Sequence, residues 1–280
     1  MLNIAVLLKQ TFDTEEKIVV APDGSISSGE AKLVINPYDE YALEEALRQR
    51  EQHGGKVHVI TCGPERAEEA LRTALAMGAD EAVRLETEGS GLLAEGDSHT
   101  IAEALAEILR PLAPDLVLAG LFAVDSGSGS VALQVAERLG LPHASSAVKL
   151  DIADAAGAAA SGAIPAGAQA AERFAIVERD VEGDTETVAI PLPALITAQQ
   201  GLNEPRYPSL PGIMKAKKKP LVRVNPADFG DEWLTAAAAR TVRTVLFPPE
   251  PRAAGKRLAG SPAEQAAALT QLLQTAVKLE

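Results

Sequence analysis

Leu2 to Leu8 is an almost unbroken apolar run. Such a run fits a strand covered on both faces, because a strand with one wet face alternates polar and apolar side chains. Val57–Thr61, Glu81–Leu85, Asp115–Ala119 and Ala194–Thr197 read as further strands. Helical stretches lie between them. Asn36-Pro37 reads as N-cap and first helical residue, with Asp39 and Glu40 in the first turn, and Gly54-Gly55 stops that helix after Leu43, Ala46 and Leu47. Pro64 opens a second helix that ends before Gly78. Asp97 or Ser98 caps a third, carrying Ile101, Leu105 and Ile108, and a fourth ends before Gly140. Strands alternating with helices at this rhythm predict an α/β fold with a doubly wound, mostly parallel sheet.

The smaller pieces read less regularly. Lys9–Lys17 is polar and is expected to be a loop. Ile18-Val19-Val20 and Leu33-Val34-Ile35 flank Asp23-Gly24, which predicts a small hairpin or excursion. The Ala/Gly-rich stretch 153–171 reads as an exposed loop or hairpin. Phe174–Glu178 and Thr185–Ile190 are expected to pair around Glu182-Gly183-Asp184. Residues 1–220 are assigned to one α/β domain and 221–280 to an extended C-terminal arm. In that arm Val222–Val224 reads as a short strand, Phe247-Pro248-Pro249-Glu250-Pro251 as a spacer, and Ser261-Pro262-Ala263-Glu264 as a capping box. The helix behind the box presents Ala266, Leu269, Leu272, Leu273 and Ala276 along one face, which must be buried somewhere.

Charge and cysteine usage narrow the function classes. With 26 basic and 39 acidic residues the chain carries −13, which argues against general nucleic-acid binding. The single Cys62 excludes an internal disulfide and fits a reducing, cytoplasmic setting. No run reaches the ~20 apolar residues of a membrane span, and the chain opens on a strand where a signal peptide would stand. A membrane protein is therefore not expected.

The chemistry-bearing stretch is Ala123-Val124-Asp125-Ser126-Gly127-Ser128-Gly129-Ser130-Val131, between a strand and a helix. At the carboxyl end of a strand, unpaired backbone N–H groups and the dipole of the following helix favour an anion. Glycines let the backbone approach a phosphate and serines add hydroxyl donors. The stretch is neither a Walker loop, since no Gly-Lys-Ser/Thr follows, nor the spaced dinucleotide fingerprint. A Gly/Ser loop alone is more often a plain connection. The strand–loop–helix setting brings the two readings level.

The second unusual stretch runs from Leu202 to Pro220. Prolines at 205, 208, 211 and 220 and Gly212 make it a poor helix interior and a poor central strand, so it is expected to be extended, bent and stiff. Ser209-Leu210-Pro211 offers one bare aliphatic side chain, followed by the only dense basic run, Lys215 to Lys219. A stiff apolar tip beside positive charge can serve as a docking device. The rival reading is a connector with Leu210 and Met214 buried against the body.

Asn203-Glu204-Pro205-Arg206-Tyr207 followed by Ile213-Met214-Lys215-Ala216-Lys217-Lys218-Lys219 closely resembles the recognition loop of the electron-transfer flavoprotein β subunit. The likeness continues in Ile35-Asn36-Pro37-Tyr38-Asp39-Glu40, in Leu71 to Asp80 and in Glu178-Arg179-Asp180-Val181-Glu182-Gly183. It covers roughly residues 1–220 well and the tail more loosely. The resemblance implies the β subunit of a heterodimer, its tail embracing the α subunit, which would hold most of an FAD. It implies that electrons pass from acyl-CoA and related dehydrogenases to a membrane quinone oxidoreductase. It implies AMP on the 123–131 loop, with Leu7, Asn36, Pro37, Tyr38, Asp39 and Cys62 around it. Phe12, Asp13 and Thr14 would stand near the flavin. Leu210 would insert into dehydrogenases, with Pro211, Ile213, Met214, Lys215, Lys217, Lys218 and Lys219 in the docking element.

Two departures leave the nucleotide open. Ser130 stands where the family often has glutamine or threonine, and Leu121-Phe122 replace a basic or polar pair. The bifurcating branch of the family would hold a second FAD in this pocket and oxidise NADH. An adenine-nucleotide-hydrolysing or ligase-type enzyme is a further alternative, opposed by the missing Walker lysine and the absence of a base. The remaining reactive types read as structural. His53, His58, His99 and His143 are scattered singles with no metal cluster. Cys62 follows an apolar strand and reads as a buried, inert thiol. Glu178, Arg179, Asp180 and Glu182 read as a solvated hairpin, and Asp39, Glu40, Glu44 and Glu45 as mostly decorating a helix's outer face. No nucleophile–base–orienter set is found, so no catalytic side chain is proposed.

Overall fold

The first strand, β1 (Leu2–Leu7), lies inside the sheet with a parallel neighbour on each side. Its alternate residues feed two cores. Ile4 and Val6 point into one, with Leu43, Leu47, Leu71 and Leu75, while Ala5 and Leu7 point into the other, with Leu105, Leu109 and Val135. This two-sided burial is why the run carries no polar alternation.

The computed structural model describes residues 1–21, 26–27, 31–88, 90, 93, 96–162, 171–230, 233, 237–250, 252 and 254–276. After β1 the chain forms β2 (Gln10–Phe12), β3 (Val19–Val20), β4 (Ile26–Ser27) and β5 (Leu33–Ile35). Helix α1 (Pro37–His53), β6 (Gly55–Gly63), α2 (Glu68–Met77) and β7 (Glu81–Glu86) follow. Next come α3 (Ser98–Leu112), β8 (Leu116–Gly120), α4 (Val131–Leu139), β9 (His143–Asp154) and α5 (Ala155–Ala160). The rest is β10 (Arg173–Val181), β11 (Asp184–Pro191), β12 (Ala194–Ala198), α6 (Leu210–Ala216), β13 (Leu221–Val224) and α7 (Pro262–Ala276).

The main sheet has nine strands in the order β11-β10-β9-β12-β8-β1-β6-β7-β13. From β9 to β13 every pairing is parallel; β10 alone runs against the rest, pairing antiparallel with both β9 and β11. The chain winds outward from β1 through β6 to β7, then returns to start β8 on the other side of β1. The order of winding therefore reverses between β1 and β8. In open α/β sheets a crevice forms there, at the carboxyl ends of the strands.

The doubly wound expectation holds, and local details differ from it. The Lys9–Lys17 loop contains β2, which pairs with β5. Leu33–Ile35 is thereby taken, and Val19–Val20 pairs with Ile26–Ser27 instead. Asp23-Gly24 lies outside the described residues. The Ala-rich stretch begins with a short helix, α5, because Asp154 caps it by accepting a bond from the Gly157 N–H at 2.8 Å. Residues 163–170 of that stretch lie outside the described residues. Strand β13 lies beyond the boundary expected after residue 220 and extends the sheet beside β7.

The chain divides into two units. One comprises Met1–Ile18 and Ser28–Thr244, the other Val19–Ser27 and Val245–Glu280. Within the second, α7 carries the expected capping box, with the Ser261 N–H and hydroxyl donating to Glu264 Oε2 at 2.7 and 2.8 Å. Leu269, Leu272 and Leu273 on α7 are about half exposed. Among the described residues no helix is long and apolar enough to cross a membrane.

Candidate functional site

At the reversal point one carboxylate joins three pieces of chain. Asp39, in the first turn of α1, accepts at Oδ2 from the Lys9 N–H beyond β1 (2.7 Å) and at Oδ1 from the Gly120 N–H that ends β8 (3.0 Å). Asn36 Nδ2 adds a third bond to Oδ1 at 3.1 Å. The crevice between two diverging strands has orphan N–H donors, and a buried acceptor must meet them. Asp39 is thus interior, and the reading of Asp39, Glu44 and Glu45 as outer-face decoration is wrong. All three are buried and bonded: Glu44 to Arg206, and Glu45 to Gln49 and Asn203.

Asn36 does not cap α1 with its side chain. Its Oδ1 accepts from the Val124 N–H at 3.1 Å and its Nδ2 donates to the Phe122 carbonyl at 3.0 Å. The side chain is spent on holding the 121–130 loop. That loop also closes on itself, with Ala123 N–H to Ser128 O at 3.0 Å and Gly127 N–H to Ala123 O at 2.8 Å. The Tyr38 and Phe122 rings pack at 4.3 Å behind it. Lys9 Nζ reaches Asp125 Oδ1 at 2.7 Å, across the mouth.

These pieces enclose a cleft of about 430 Å³. Leu7, Ile60, Ile101, Leu105 and Ala119 give it apolar walls, and Asn36, Asp39, Ser126, Ser128 and Gly129 give it polar points. Helix α4 starts at its edge, and Ser130 makes no side-chain cap on that helix. Ser130 Oγ instead accepts from Gln134 Nε2 at 3.2 Å, which also donates to Ser98 Oγ at 3.0 Å. The cleft has the size of small-molecule sites and the anion-favouring N-terminus of a helix at one end.

Of the residues expected around a nucleotide, Leu7, Asn36, Asp39, Cys62, Ala123, Ser126, Ser128, Gly129 and Val131 line this cleft. Pro37, Tyr38, Val124, Asp125, Gly127 and Ser130 are not part of its lining. Burial pushes the Cys62 thiol up to about 12, as expected of an inert thiol. Sequence reasoning missed Lys9 and the segment Gly96-Asp97-Ser98, which enters the cleft wall from the loop after β7. Asp97 accepts from Thr100 N–H at 3.0 Å as the α3 cap, and from the N–H groups of Arg240 and Thr241 at 2.9 and 2.8 Å. Burial works against its charge, but these donors outweigh it and hold the carboxyl well below the usual range. The signal for this wall was present: that loop, too, leaves the carboxyl edge of the sheet.

A second, smaller cleft of about 220 Å³ lies beside Phe12, with Lys9, Arg66 and Asp125 among its lining. Asp13 and Thr14 are not part of that lining. The Lys32 ammonium bonds Asp13 at 2.6 Å and holds its carboxyl below the usual range.

The 202–220 stretch is not wholly extended. Leu210–Ala216 is a helix, because Ser209 caps it through the Gly212 N–H (3.1 Å) and Pro211 falls in its first turn, where no N–H is needed. Leu210 is 81% exposed and Met214 73%, so the buried-connector reading fails. Ile213, Lys215, Lys217 and Lys218 are also exposed, whereas Lys219 Nζ donates into the body, to the carbonyls of Leu75 (2.9 Å) and Ala79 (2.6 Å).

Asp39 yields a pH prediction. Burial pushes its carboxyl up to about 7, against the pull of the Lys9, Asn36 and Gly120 donors. Folding then takes up a proton at Asp39 between the unfolded value and 7. Its contribution to stability is complete below about pH 4 and is lost as pH rises through about 7. Melting curves of wild type and Asp39→Asn across that interval should therefore move in favour of the non-titrating variant as pH rises. A shift in the opposite sense would mean that the three donors outweigh burial.

The chain is similar to known proteins over nearly its whole length. Residues 24–229 match the family model described as electron transfer flavoprotein domain. The chain is 46% identical over 279 residues to the electron transfer flavoprotein subunit beta of Bacillus subtilis, covering 99% of this chain and 100% of that protein. It is 37% identical to the subunit of the same name from Syntrophomonas wolfei, over 100% and 98% of the two chains. With that of Homo sapiens the identity is 35%, over 92% of each.

Proposed function

The chain belongs to the electron transfer flavoprotein β-subunit family, and on that footing we propose that it is the β half of a cytoplasmic heterodimeric electron carrier with structural AMP in its main cleft. The observation that carries the nucleotide reading is the cleft at the β1/β8 reversal, with apolar walls for a base and the loop before α4 for a phosphate. Leu7, Ile60 and Ile101 would flank the base. Backbone and hydroxyl donors of Ser126 to Gly129 would meet the phosphate, and Lys9, now paired with Asp125, is a cation in the cleft lining.

FAD, held mainly by the α subunit, supplies the redox chemistry when bound. Phe12 and the cleft beside it would be this chain's contribution to the flavin wall. Asp13 is spent on Lys32, so its part is to fix the loop that carries Phe12. Helix α6 would dock acyl-CoA and related dehydrogenases through Leu210, and the complex would pass electrons on to a membrane quinone oxidoreductase. The apolar stripe of α7, exposed in this chain, supports an arm that docks on the α subunit.

The test is nucleotide content. The chain is co-purified with its α partner, the complex is denatured, and FAD and AMP are quantified by chromatography. One FAD and one AMP per heterodimer is the expected result. Two FAD with no AMP would transfer the protein to the bifurcating type, with a redox flavin in the 123–131 cleft. One FAD and no AMP would remove the nucleotide assignment.

A further inference from the structure

The exposed tip of α6 is held from both ends and from beneath. On the approach side Asn203 Nδ2 donates to the Tyr41 carbonyl (3.0 Å) and to Glu45 Oε2 (3.1 Å). Arg206 forks onto Glu44, with Nε to Oε2 at 2.8 Å and an Nη to Oε1 at 2.9 Å, and reaches Glu51 at 2.6 Å. Its own N–H donates to Glu44 Oε2 at 3.1 Å. Glu44 is buried, and the paired carboxylates raise the guanidinium's already high pKa. A bidentate, partly desolvated pair fixes geometry far better than an exposed single contact.

On the exit side two cations exchange places. Arg72, from α2, donates to the carbonyls of Ala216 (2.8 Å) and Lys219 (3.1 Å), closing the end of α6. Lys219 sends Nζ the other way, to the Leu75 and Ala79 carbonyls at the end of α2. Each helix thus has its last carbonyls met by a cation from the other's segment, where the macrodipole is negative. Beneath, Gly212 lies so close to α2 that a Cβ there would stand 2.3 Å from the Ala76 carbonyl oxygen. Ala216 is buried against this floor, while Leu210 and Met214 remain in water.

We propose that Arg206, Arg72 and Lys219 are positioning residues that hold the Leu210–Ala216 helix in its docking conformation before a partner arrives. The inference rests on the reading of Leu210 as the partner anchor. An apolar tip on a seven-residue helix would otherwise fold back or fray, since so short a helix has no stability of its own. Ordering the tip in advance removes that entropic cost from the docking step. A held tip changes how tightly a dehydrogenase is captured and leaves the electron-transfer step after capture alone.

The test uses the complete heterodimer with its α subunit and FAD, assayed against an acyl-CoA dehydrogenase. Arg206→Met and Arg72→Met attack opposite ends, so one serves if the other does not fold. Each should raise the KM for the flavoprotein about five- to tenfold with kcat unchanged, and speed amide exchange over residues 210–216. Arg206→Lys, which keeps the charge and loses the fork, should recover part of the effect. Combined with Leu210→Ala, the Arg206→Met change should add nothing further to KM. If Leu210→Ala raises KM but neither arginine variant moves KM or amide exchange, the positioning role is overturned. If Leu210→Ala itself is silent, the docking reading beneath it has failed instead.

Discussion

Gly120→Ala is expected to strip the nucleotide from the heterodimer and to destabilise this subunit by about 3 kcal/mol or more, the sum of overpacking and a lost buried hydrogen bond. A Cβ on Gly120 would stand 2.3 Å from Asp39 Oδ1, 2.7 Å from Tyr38 Cβ and 2.8 Å from the Asp39 backbone nitrogen. Two of these atoms belong to the start of α1 and cannot rotate away. The third belongs to a carboxylate held by three donors. The helix must therefore retreat from β8, and the Gly120 N–H loses its acceptor. Asn36 moves with the helix and releases Val124 and Phe122, so the 121–130 loop loses its support. Melting temperature and AMP content measured on the same preparation check this. Ser126→Ala is the contrast, since it removes one hydroxyl at the cleft and should weaken AMP retention with stability unchanged within about 0.5 kcal/mol. A Gly120→Ala heterodimer with wild-type melting and full AMP would mean that α1 does not frame the site.

The same crevice shows what was legible in the sequence. The two-sided apolar run of β1, the helix boundaries at Pro37 and Gly54 and the glycine-serine loop each follow from local chemistry, and they place the cleft at the right edge of the sheet. The contents of α1 did not follow. Asp39, Glu44 and Glu45 satisfy the usual preference for acids in and after a first turn, so their sequence positions are explained without burial. What buries them is tertiary: strand ends at Lys9 and Gly120, and the returning segment at Asn203 and Arg206. Those partners are 30 to 162 residues away, and no periodicity reports them. The helix at Leu210 was hidden differently. Its prolines were weighed as helix breakers, when Pro211 falls in the first turn behind a serine cap, the one place a helix accepts it.

Leu210→Ala is expected to lower kcat/KM for electron transfer from an acyl-CoA dehydrogenase by about 30-fold or more, the loss typical of removing a central anchor of about 2 kcal/mol. The side chain is 81% exposed in the subunit, so the substitution removes no internal packing and should leave melting temperature and flavin content unchanged. Exposure of a leucine alone has little meaning, since folded surfaces carry many. Here its neighbours Ile213 and Met214 are exposed on the same short helix, which is fastened at Arg206, Arg72 and Lys219. A chain free to bury that patch would do so, and the fastening prevents it. Lys215, Lys217 and Lys218 stand beside the patch in a chain of net charge −13. On the proposed docking role their field would steer an acidic partner, so raising ionic strength should slow association of wild type and Leu210→Ala alike. The anchor and the charges are thereby separable: Leu210→Ala should act on the lifetime of the encounter, and salt on its formation. Stopped-flow reduction of the bound flavin by the dehydrogenase, at two salt concentrations, reads both. Wild-type rates for Leu210→Ala at low and high salt would move the docking surface elsewhere on the subunit.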